Sequence, residues 1–378
     1  MKRKIGYILP ILLCLSLSAC GTGNGIKDKM ENSSADAAAN KTEAAEEVED
    51  ETRLYVIYNK EEKGQSYGLE FSKGVKSAAE ELGILVTELE GNTDQELEAA
   101  VGSACENGAD MILAASAEAG EYIRKYGELY PEIRFAVLDV EIGLPNVQSV
   151  YTEKKESFFV AGAAAALFTE EKDVEGVNEA PVIGWIGGMN IPVVQEYFKA
   201  FEQGARSINP EVVILEEYVG SWDDVEKAKD VILSQAEQKA DIVMTVASKA
   251  GAGVLEGAQE QGVYLMEIEA EMSGLNGGSD LEPHTAATES NAEMSKGGKV
   301  AASLIEKPEQ AGKILVKTLA DDGFSGGKDL YLTLKEGTVE FCANTDSNGD
   351  YFISEEIRTQ CKEIVEKIQS GEIVIGNP

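Results

Sequence analysis

From residue 53 onward, short β-branched or aliphatic runs alternate with segments whose apolar residues recur at i, i+3 and i+4. Nine runs read as strands: LYVIYN (54–59), ILVTEL (84–89), MILAAS (111–116), RFAVLD (134–139), VQSVYT (147–152), VIGWIGG (182–188), EVVILEEYV (211–219), DIVMTVA (241–247) and VYLMEIE (263–269). Between them, FSKGVKSAAEELG and VEKAKDVILSQAEQKA carry the spacing of amphipathic helices. Strand, helix and strand repeated in this way build parallel sheets with helices on both faces. Two such blocks follow one another, split near residues 150–180, so the pattern predicts an α/β chain with two doubly wound parallel-sheet lobes.

The pattern ahead of residue 53 is different. MKRKIGYILPILLCLSLSAC has a basic head, a short apolar stretch and then small residues, the layout of a secretory signal, and is too short to span a bilayer. Its end, Leu17-Ser18-Ala19-Cys20, resembles the bacterial lipobox, in which the signal is cut before the cysteine and the cysteine carries lipid. Residues 1–19 are then the signal peptide and Cys20 the lipidation site, placing the protein on the extracytoplasmic side of the cell membrane, held by acyl chains. Residues 20–52 are nearly devoid of large apolar side chains and rich in Gly, Asn, Ser, Ala and Glu, so they cannot bury enough surface to offset ordering and read as a disordered acidic tether.

Charge narrows the partners. The chain carries 33 basic and 68 acidic residues, a net −35, and has no basic stripe to neutralise phosphates, which argues against nucleic acid. Of the cysteines, Cys105, Cys342 and Cys361 fall in the body, with no CxxC pair to suggest zinc; Cys342 and Cys361 are either free thiols or one bridge.

In open parallel sheets, ligands sit beyond the carboxyl ends of the strands. Those ends supply Asn59, Ser116, Asp139, Gly187, Gly188, Lys249 and the acid pair Glu269 and Glu271. Glutamate is a poor strand residue and seldom sits unpaired in a core, so YLMEIEAEMSG (264–274) poses a choice between solvated acids and acceptors for ligand hydroxyls or amines. In KAGAG (249–253), Gly251 either offers an N–H to a ligand oxygen or serves only the strand-to-helix turn.

The residues carry a family resemblance. KYGELYPEIRFAVLDVEIGLPNVQSVYTEKKESFFVAGAAAAL, IGWIGGMNIPVVQEYFKAFEQGARSINP, YVGSWDD, KAGAGVLEGAQEQG and the tail EKIQSGEIVIGNP resemble the basic membrane protein family of bacterial lipoproteins. That family comprises substrate-binding components of ABC importers, several of them purine nucleoside receptors. The resemblance implies a type I periplasmic-binding-protein-like architecture with ligand between two hinged lobes, a small-molecule ligand of nucleoside type, an ABC permease as partner and no cofactor. With it go boundaries at 53–151 (lobe 1), 152–282 (lobe 2), 283–320 (return segment of lobe 1) and 321–378 (C-terminal segment, assigned to lobe 2).

The departures from the family fall at the pocket. In GQSYGLEFSKG, Gly64 stands where an acid is expected and Tyr67 where the family's aromatic ring stacks on the base; Tyr still offers a π face. After the ninth strand the family's two aspartates become Glu269 and Glu271, with Glu269 assigned to the ligand hydroxyls. HTAATESNAEM lacks the family's lysine, whereas Asp139 matches the acid after the fourth strand. The resemblance and the strand ends together nominate Tyr67, Ser116, Asp139, Gly188, Lys249, Gly251 and Glu269 as ligand-binding residues.

Other chemistry is poorly served. There is no GxxxxGK[ST] loop and no GxGxxG fingerprint, and the single histidine, His284, has no nucleophile motif near it, so an enzyme is not expected. NTDSNGDYFISE (344–355) has the oxygen spacing of a calcium loop, but Asn at its first position and no preceding helix favour a turn leading to a helix capped at Ser354. A lipid-anchored solute receptor therefore stands first, and an extracytoplasmic sensor or enzyme on the same fold second.

Overall fold

Apolar runs bounded by turn residues become buried strands in a computed structural model that describes residues 51–268, 299–346 and 348–376. The first lobe takes β1 (Arg53–Asn59), α1 (Lys60–Lys63), α2 (Ser66–Leu82), β2 (Leu85–Gly91), α3 (Asp94–Glu106), β3 (Met111–Ala114), α4 (Gly120–Leu129), β4 (Arg134–Leu138) and β5 (Val147–Thr152). The second takes α5 (Lys155–Phe168), β6 (Val182–Gly187), α6 (Pro192–Ile208), β7 (Val213–Tyr218), α7 (Val225–Glu237), β8 (Ile242–Val246), α8 (Gly251–Gln261), β9 (Tyr264–Ile268) and β10 (Lys299–Glu306). The chain then runs through α9 (Pro308–Ala320), β11 (Asp329–Leu332), β12 (Val339–Ala343) and α10 (Glu355–Gln369).

Among the described residues the strands form two six-stranded sheets, ordered β11-β5-β4-β3-β1-β2 and β12-β10-β9-β8-β6-β7. Pairing is parallel throughout except for β12, which lies antiparallel to β10. In each lobe the second strand lies outside the first and the third inside it, which puts the switch point beside the carboxyl ends of β1 and β3, and of β6 and β8. The nine expected strands are all present.

The boundaries expected after residue 282 need correction. Segment 283–320 was assigned to the first lobe, yet β10 extends the second sheet beside β9, and only α9 returns to pack on α2. Segment 321–378 was assigned to the second lobe, yet β11 pairs with β5 in the first sheet before β12 and α10 rejoin the second lobe. The physical reason is that strand-to-sheet assignment is a long-range pairing, and neither KVAASLIE nor DLYL carries a local signal for one sheet over the other.

Local chemistry fixes the elements. Thr93 caps α3 by accepting from the Glu96 N–H, Asp224 caps α7 from Lys227, and Ser354 caps α10 from Ile357. That last cap is the turn expected in 344–355: Asp346 accepts from the N–H groups of Asn348 and Asp350, and these bonds hold its carboxyl below the usual range. Helix pairs meet at glycines. A Cβ on Gly162 would lie 1.9 Å from the Phe201 carbonyl oxygen, and one on Gly204 1.9 Å from that of Phe159, so α5 and α6 touch backbone to backbone over a core of Phe158, Phe168, Trp185 and Phe201. Cys361 is a free, buried thiol pushed up to about 12 by burial, so the bridge to Cys342 is not made.

Three crossovers among the described residues join the lobes: β5 to α5, β10 to α9, and β11 to β12. The Glu153 N–H donates to the Leu332 carbonyl at 2.9 Å and the Lys307 N–H to that of Thr338 at 2.8 Å, lacing the crossovers side by side. Because β5 and β10 both enter this hinge from their carboxyl ends, the carboxyl edges of the two sheets converge on it. No described helix is long and apolar enough to cross a membrane.

Candidate functional site

The first lobe presents Asn59, Ser116 and Asp139 at the carboxyl ends of β1, β3 and β4. Asn59 is committed to local structure: its Oδ1 caps α1 by accepting from Glu61 and Glu62, and its Nδ2 donates to Glu118 at 2.5 Å. Ser116 is buried and accepts from the Glu118 N–H at 3.3 Å, capping the turn at Ala117–Ala119, and it also bonds the Glu62 side chain. Glu62 is raised by burial first and then by the charges of Glu118 and Asp139, so acids crowd this edge.

Asp139 follows β4 with φ +58°, a left-handed conformation that aspartate tolerates better than most residues. Its N–H donates to the Val150 carbonyl at 2.8 Å, which turns the chain and leaves the carboxylate at the surface of the edge. Burial of its protein-facing side raises its pKa, Lys154 opposes that shift and Glu306 adds to it. Both of these charges belong to the hinge, where Lys154 Nζ meets Glu306 Oε1 at 2.8 Å.

Tyr67 lies in the first turn of α2. Its ring stacks on Phe71 with centroids 6.4 Å apart and planes 11° apart, and Phe71 meets Tyr58 edge-on. One face is thus backed by the core while the residue stays 37% exposed. Burial, then the charges of Glu306 and Asp139, raise the phenol pKa against Lys154 and a hydrogen bond with Thr152. Tyr67, Asp139, Thr152, Lys154 and Glu306 therefore share one neighbourhood at the junction of first lobe and hinge.

In the second lobe Gly188 follows β6, donating to the Val246 carbonyl and accepting from the N–H groups of Gly220 and Ser221. A Cβ on Gly188 would lie 2.4 Å from Trp222 Cε3, and one on Gly187 2.6 Å from Tyr218 Cδ1. The glycines are seats for two aromatic rings. Trp222 is 37% exposed, and its carbonyl accepts from the Ala250 N–H at 2.9 Å. Trp222 is not among the residues nominated from the strand ends; its signal in YVGSWDD is a large aromatic in a Gly-Ser loop directly after a strand's carboxyl end.

Lys249 sits exposed in the turn Ser248–Ala250 beyond β8, where Ser248 has φ +51°. Gly251 is corrected from the expected ligand donor: it is buried, its N–H bonds back to the carbonyls of Ser248 and Lys249, and neighbouring Gly253 lets α8 approach the Val225 carbonyl. The KAGAG glycines thus serve the turn and the helix packing. Glu269 and Glu271 lie outside the described residues, directly after Ile268 at the end of β9. No group of three or more His, Cys, Asp or Glu side chains among the described residues is arranged to hold a metal.

The arrangement offers a flat aromatic face on each lobe, carboxylates beside one of them, and a hinge between. Comparison with known proteins identifies the family and the fold. The family model described as ABC transporter substrate-binding protein, PnrA-like, matches residues 51–374. Basic membrane protein A2 of Borrelia garinii subsp. bavariensis is 24% identical over 329 residues, covering 85% of this chain and 88% of that protein. The ABC transporter nucleoside-binding protein BmpA of Lactococcus lactis subsp. cremoris is 27% identical over 215 residues, covering 56% of this chain and 57% of that protein. Among solved structures, an ABC transporter solute-binding protein from Aeropyrum pernix superposes with a TM-score of 0.54 at 19% identity, covering 86% of this chain and 94% of that one, which supports the type I periplasmic-binding-protein-like fold.

Proposed function

The chain belongs to the PnrA-like family of ABC transporter substrate-binding proteins, and from that premise we propose that it is a lipid-anchored receptor that closes two lobes on a purine nucleoside and delivers it to the permease of an ABC importer. The observation that carries this reading is the pair of half-open aromatic rings on opposite lobes, Tyr67 backed by Phe71 and Trp222 seated on Gly188, with Asp139 beside the first. Two π faces sandwich a flat heterocycle, and a carboxylate accepts hydroxyl hydrogens. Glu269, at the end of β9, adds a second acceptor, and Lys249 borders the second lobe's edge. Closure about the three crossovers brings the halves together and presents the closed form to the permease. Cys20 carries the acyl anchor that keeps the receptor near it. No covalent step is assigned: the family is one of substrate-binding proteins.

A thermal-shift panel of nucleosides, free bases and sugars tests the reading, because a ligand that binds only the folded state must raise its melting temperature. Purine nucleosides are expected to give the largest shifts. A shift with sugars alone would replace the nucleoside by another ligand on the same hinge.

A further inference from the structure

The two lobes reach their ligand edges through matching turns. Beyond β3 the chain runs Ala115-Ser116-Ala117-Glu118-Ala119-Gly120, and at the end of β8 it runs Val246-Ala247-Ser248-Lys249-Ala250-Gly251. Each run makes one short turn before a helix, α4 or α8, and in each the closing glycine donates its N–H back into the turn, Gly120 to Ala117 and Gly251 to Ser248 and Lys249. The frame is shared, but the side chains on it are used differently.

In the first lobe the turn satisfies itself. Ser116 has extended backbone at φ −151° and its Oγ accepts from the Glu118 N–H at 3.3 Å, while the Glu118 carboxylate accepts from Asn59, the last residue of β1, at 2.5 Å. In the second lobe neither bond has a counterpart. Ala247 holds the capping place and offers no oxygen, and the serine comes one residue later, at 248, where the backbone is left-handed with φ +51°. Lys249 stands where the first lobe has Glu118, and β6 ends on a glycine where β1 ends on Asn59. Neither Ser248 nor Lys249 has a side-chain partner among the described residues.

Left-handed backbone costs a serine free energy that a glycine would avoid. Among the described residues three that are not glycine adopt it, Asp139, Lys239 and Ser248. Lys239 follows the last turn of α7, an ordinary place for that conformation, whereas Asp139 and Ser248 lie at the carboxyl-end edges of opposite lobes. Strained residues of this kind cluster at ligand clamps. The turn is also fixed beside the exposed ring: the Ala250 N–H donates to the Trp222 carbonyl at 2.9 Å, and the Ala247 Cα lies 3.2 Å from where a Cβ on Gly188 would stand, the glycine on which Trp222 packs. Ser248 and Lys249 sit between those two anchors.

A lysine can only donate, and a serine hydroxyl can donate as well as accept. Two donors beside a ring that stacks a base call for acceptors along the base's edge. A 6-oxopurine presents two, O6 and N7, whereas a 6-aminopurine presents N7 next to an amino donor. Resting on the nucleoside-receptor reading, we infer that Ser248 and Lys249 are specificity-determining residues of the second lobe, donating to O6 and N7 of the base stacked on Trp222 and narrowing the ligand class to 6-oxopurine nucleosides. The left-handed turn takes the serine out of the capping place and leaves its hydroxyl to the ligand. The amino group of a 6-aminopurine would meet the lysine donor to donor, and a site left with unpaired polar groups rejects such an analogue.

Calorimetry on the full chain with inosine and adenosine as probes tests this, with the melting temperature of each variant read alongside. Wild type should prefer inosine by more than about tenfold. Lys249→Met should lose most of that preference, and Lys249→Arg should keep it. Ser248→Ala should shrink the preference without raising the melting temperature, whereas Ser248→Gly should shrink it and raise the melting temperature, because the strain goes with the hydroxyl. A turn that serves only folding would move melting temperatures and leave the preference alone. Equal affinity for the two probes in wild type, a preference for adenosine, or a preference that survives both Lys249→Met and Ser248→Ala overturns the inference and leaves the receptor reading standing. A wild type that binds neither probe overturns the nucleoside reading and the inference with it.

Discussion

Trp222 packs on Gly188, so close that a methyl group at position 188 would come within 2.4 Å of Cε3. The missing side chain thus sets the height of the ring over the second lobe. Gly188→Ala should push Trp222 off its seat, destabilise the protein by about 1 to 3 kcal/mol through overpacking, and weaken ligand. Trp222→Ala should leave stability nearly untouched and cost about 1 to 3 kcal/mol of ligand affinity, the range for a base stacked on an aromatic side chain. The chain has two tryptophans, and Trp185 is fully buried, so ligand-dependent quenching of fluorescence reports on Trp222. Quenching that survives in Trp222→Phe would put the ligand elsewhere.

Why the sequence showed the strands but not this ring is a matter of range. The runs at β1 to β9 are apolar and bounded by turn residues, buried in the central strands and half-exposed in the edge strands β2 and β7, and such runs announce themselves locally. By contrast β10 and β11 are sorted between sheets only by distant partners, Ile268 beside Leu304 and Thr152 beside Leu332. Asp139 and Tyr67 were legible as a strand end and a family position. Trp222 sits in a loop, where an aromatic is as easily packed as exposed, and its exposure depends on a glycine from another strand. Lys154 and Glu306 are far apart in the chain, so only folding reveals them as a pair.

Tyr67 should behave as a stacking platform. Tyr67→Ala should cost about 1 to 3 kcal/mol of nucleoside affinity by calorimetry. Tyr67→Phe keeps the ring on Phe71 and loses only the hydrogen bond with Thr152, so its affinity should stay within a few-fold of wild type. Equal losses in both variants would mean that the hydroxyl, not the π face, meets the ligand.

The proposed acyl anchor rests on a single thiol in the Leu-Ser-Ala-Cys stretch. Cys20→Ser should abolish acyl labelling in cells and leave the protein in the soluble fraction or with its leader uncut. Ligand affinity of the purified body should not change, since residue 20 precedes the described elements, which begin with β1. Undiminished labelling with palmitate would remove Cys20 as the acceptor.

Backbone contact between α5 and α6 leaves no room for side chains at Gly162 and Gly204. Either glycine to valine should lower the denaturation midpoint markedly, since the added atoms meet carbonyl oxygens of the facing helix rather than a yielding side chain. Overpacking of this sort costs about 1 to 3 kcal/mol and occasionally more. Val substituted at the exposed Gly376, where nothing lies near, serves as the comparison in the same urea titration.

Glu88 should give the protein an acid-sensitive limb, and through it couple pH to the ligand face. Burial pulls its pKa upward, but hydrogen bonds from Ser72, Lys76 and Lys63 outweigh that and hold the carboxyl down at about 2. Lys63 reaches Glu88 at 3.0 Å and Glu90 at 2.8 Å, and Lys76 reaches Glu88 at 2.9 Å, so the cluster fastens α1 and α2 onto β2. A carboxyl whose folded pKa lies below its unfolded value stabilises the fold fully above the unfolded value, and that contribution is lost as pH falls through the folded one. Glu88→Gln should therefore be less stable than wild type near neutrality, with the gap narrowing as pH is lowered from about 5 toward about 2. Urea titrations at several pH values across that window measure it, and a gap that does not change with pH would show that Glu88 does not titrate there. The same cluster stands behind the proposed ligand face, because Gly68, one residue past Tyr67, fits so tightly on the end of α1 that its Cβ would lie 2.5 Å from the Glu62 carbonyl oxygen. Loosening α1 in Glu88→Gln should then free Tyr67 and weaken ligand at neutral pH, although the substituted side chain never meets it.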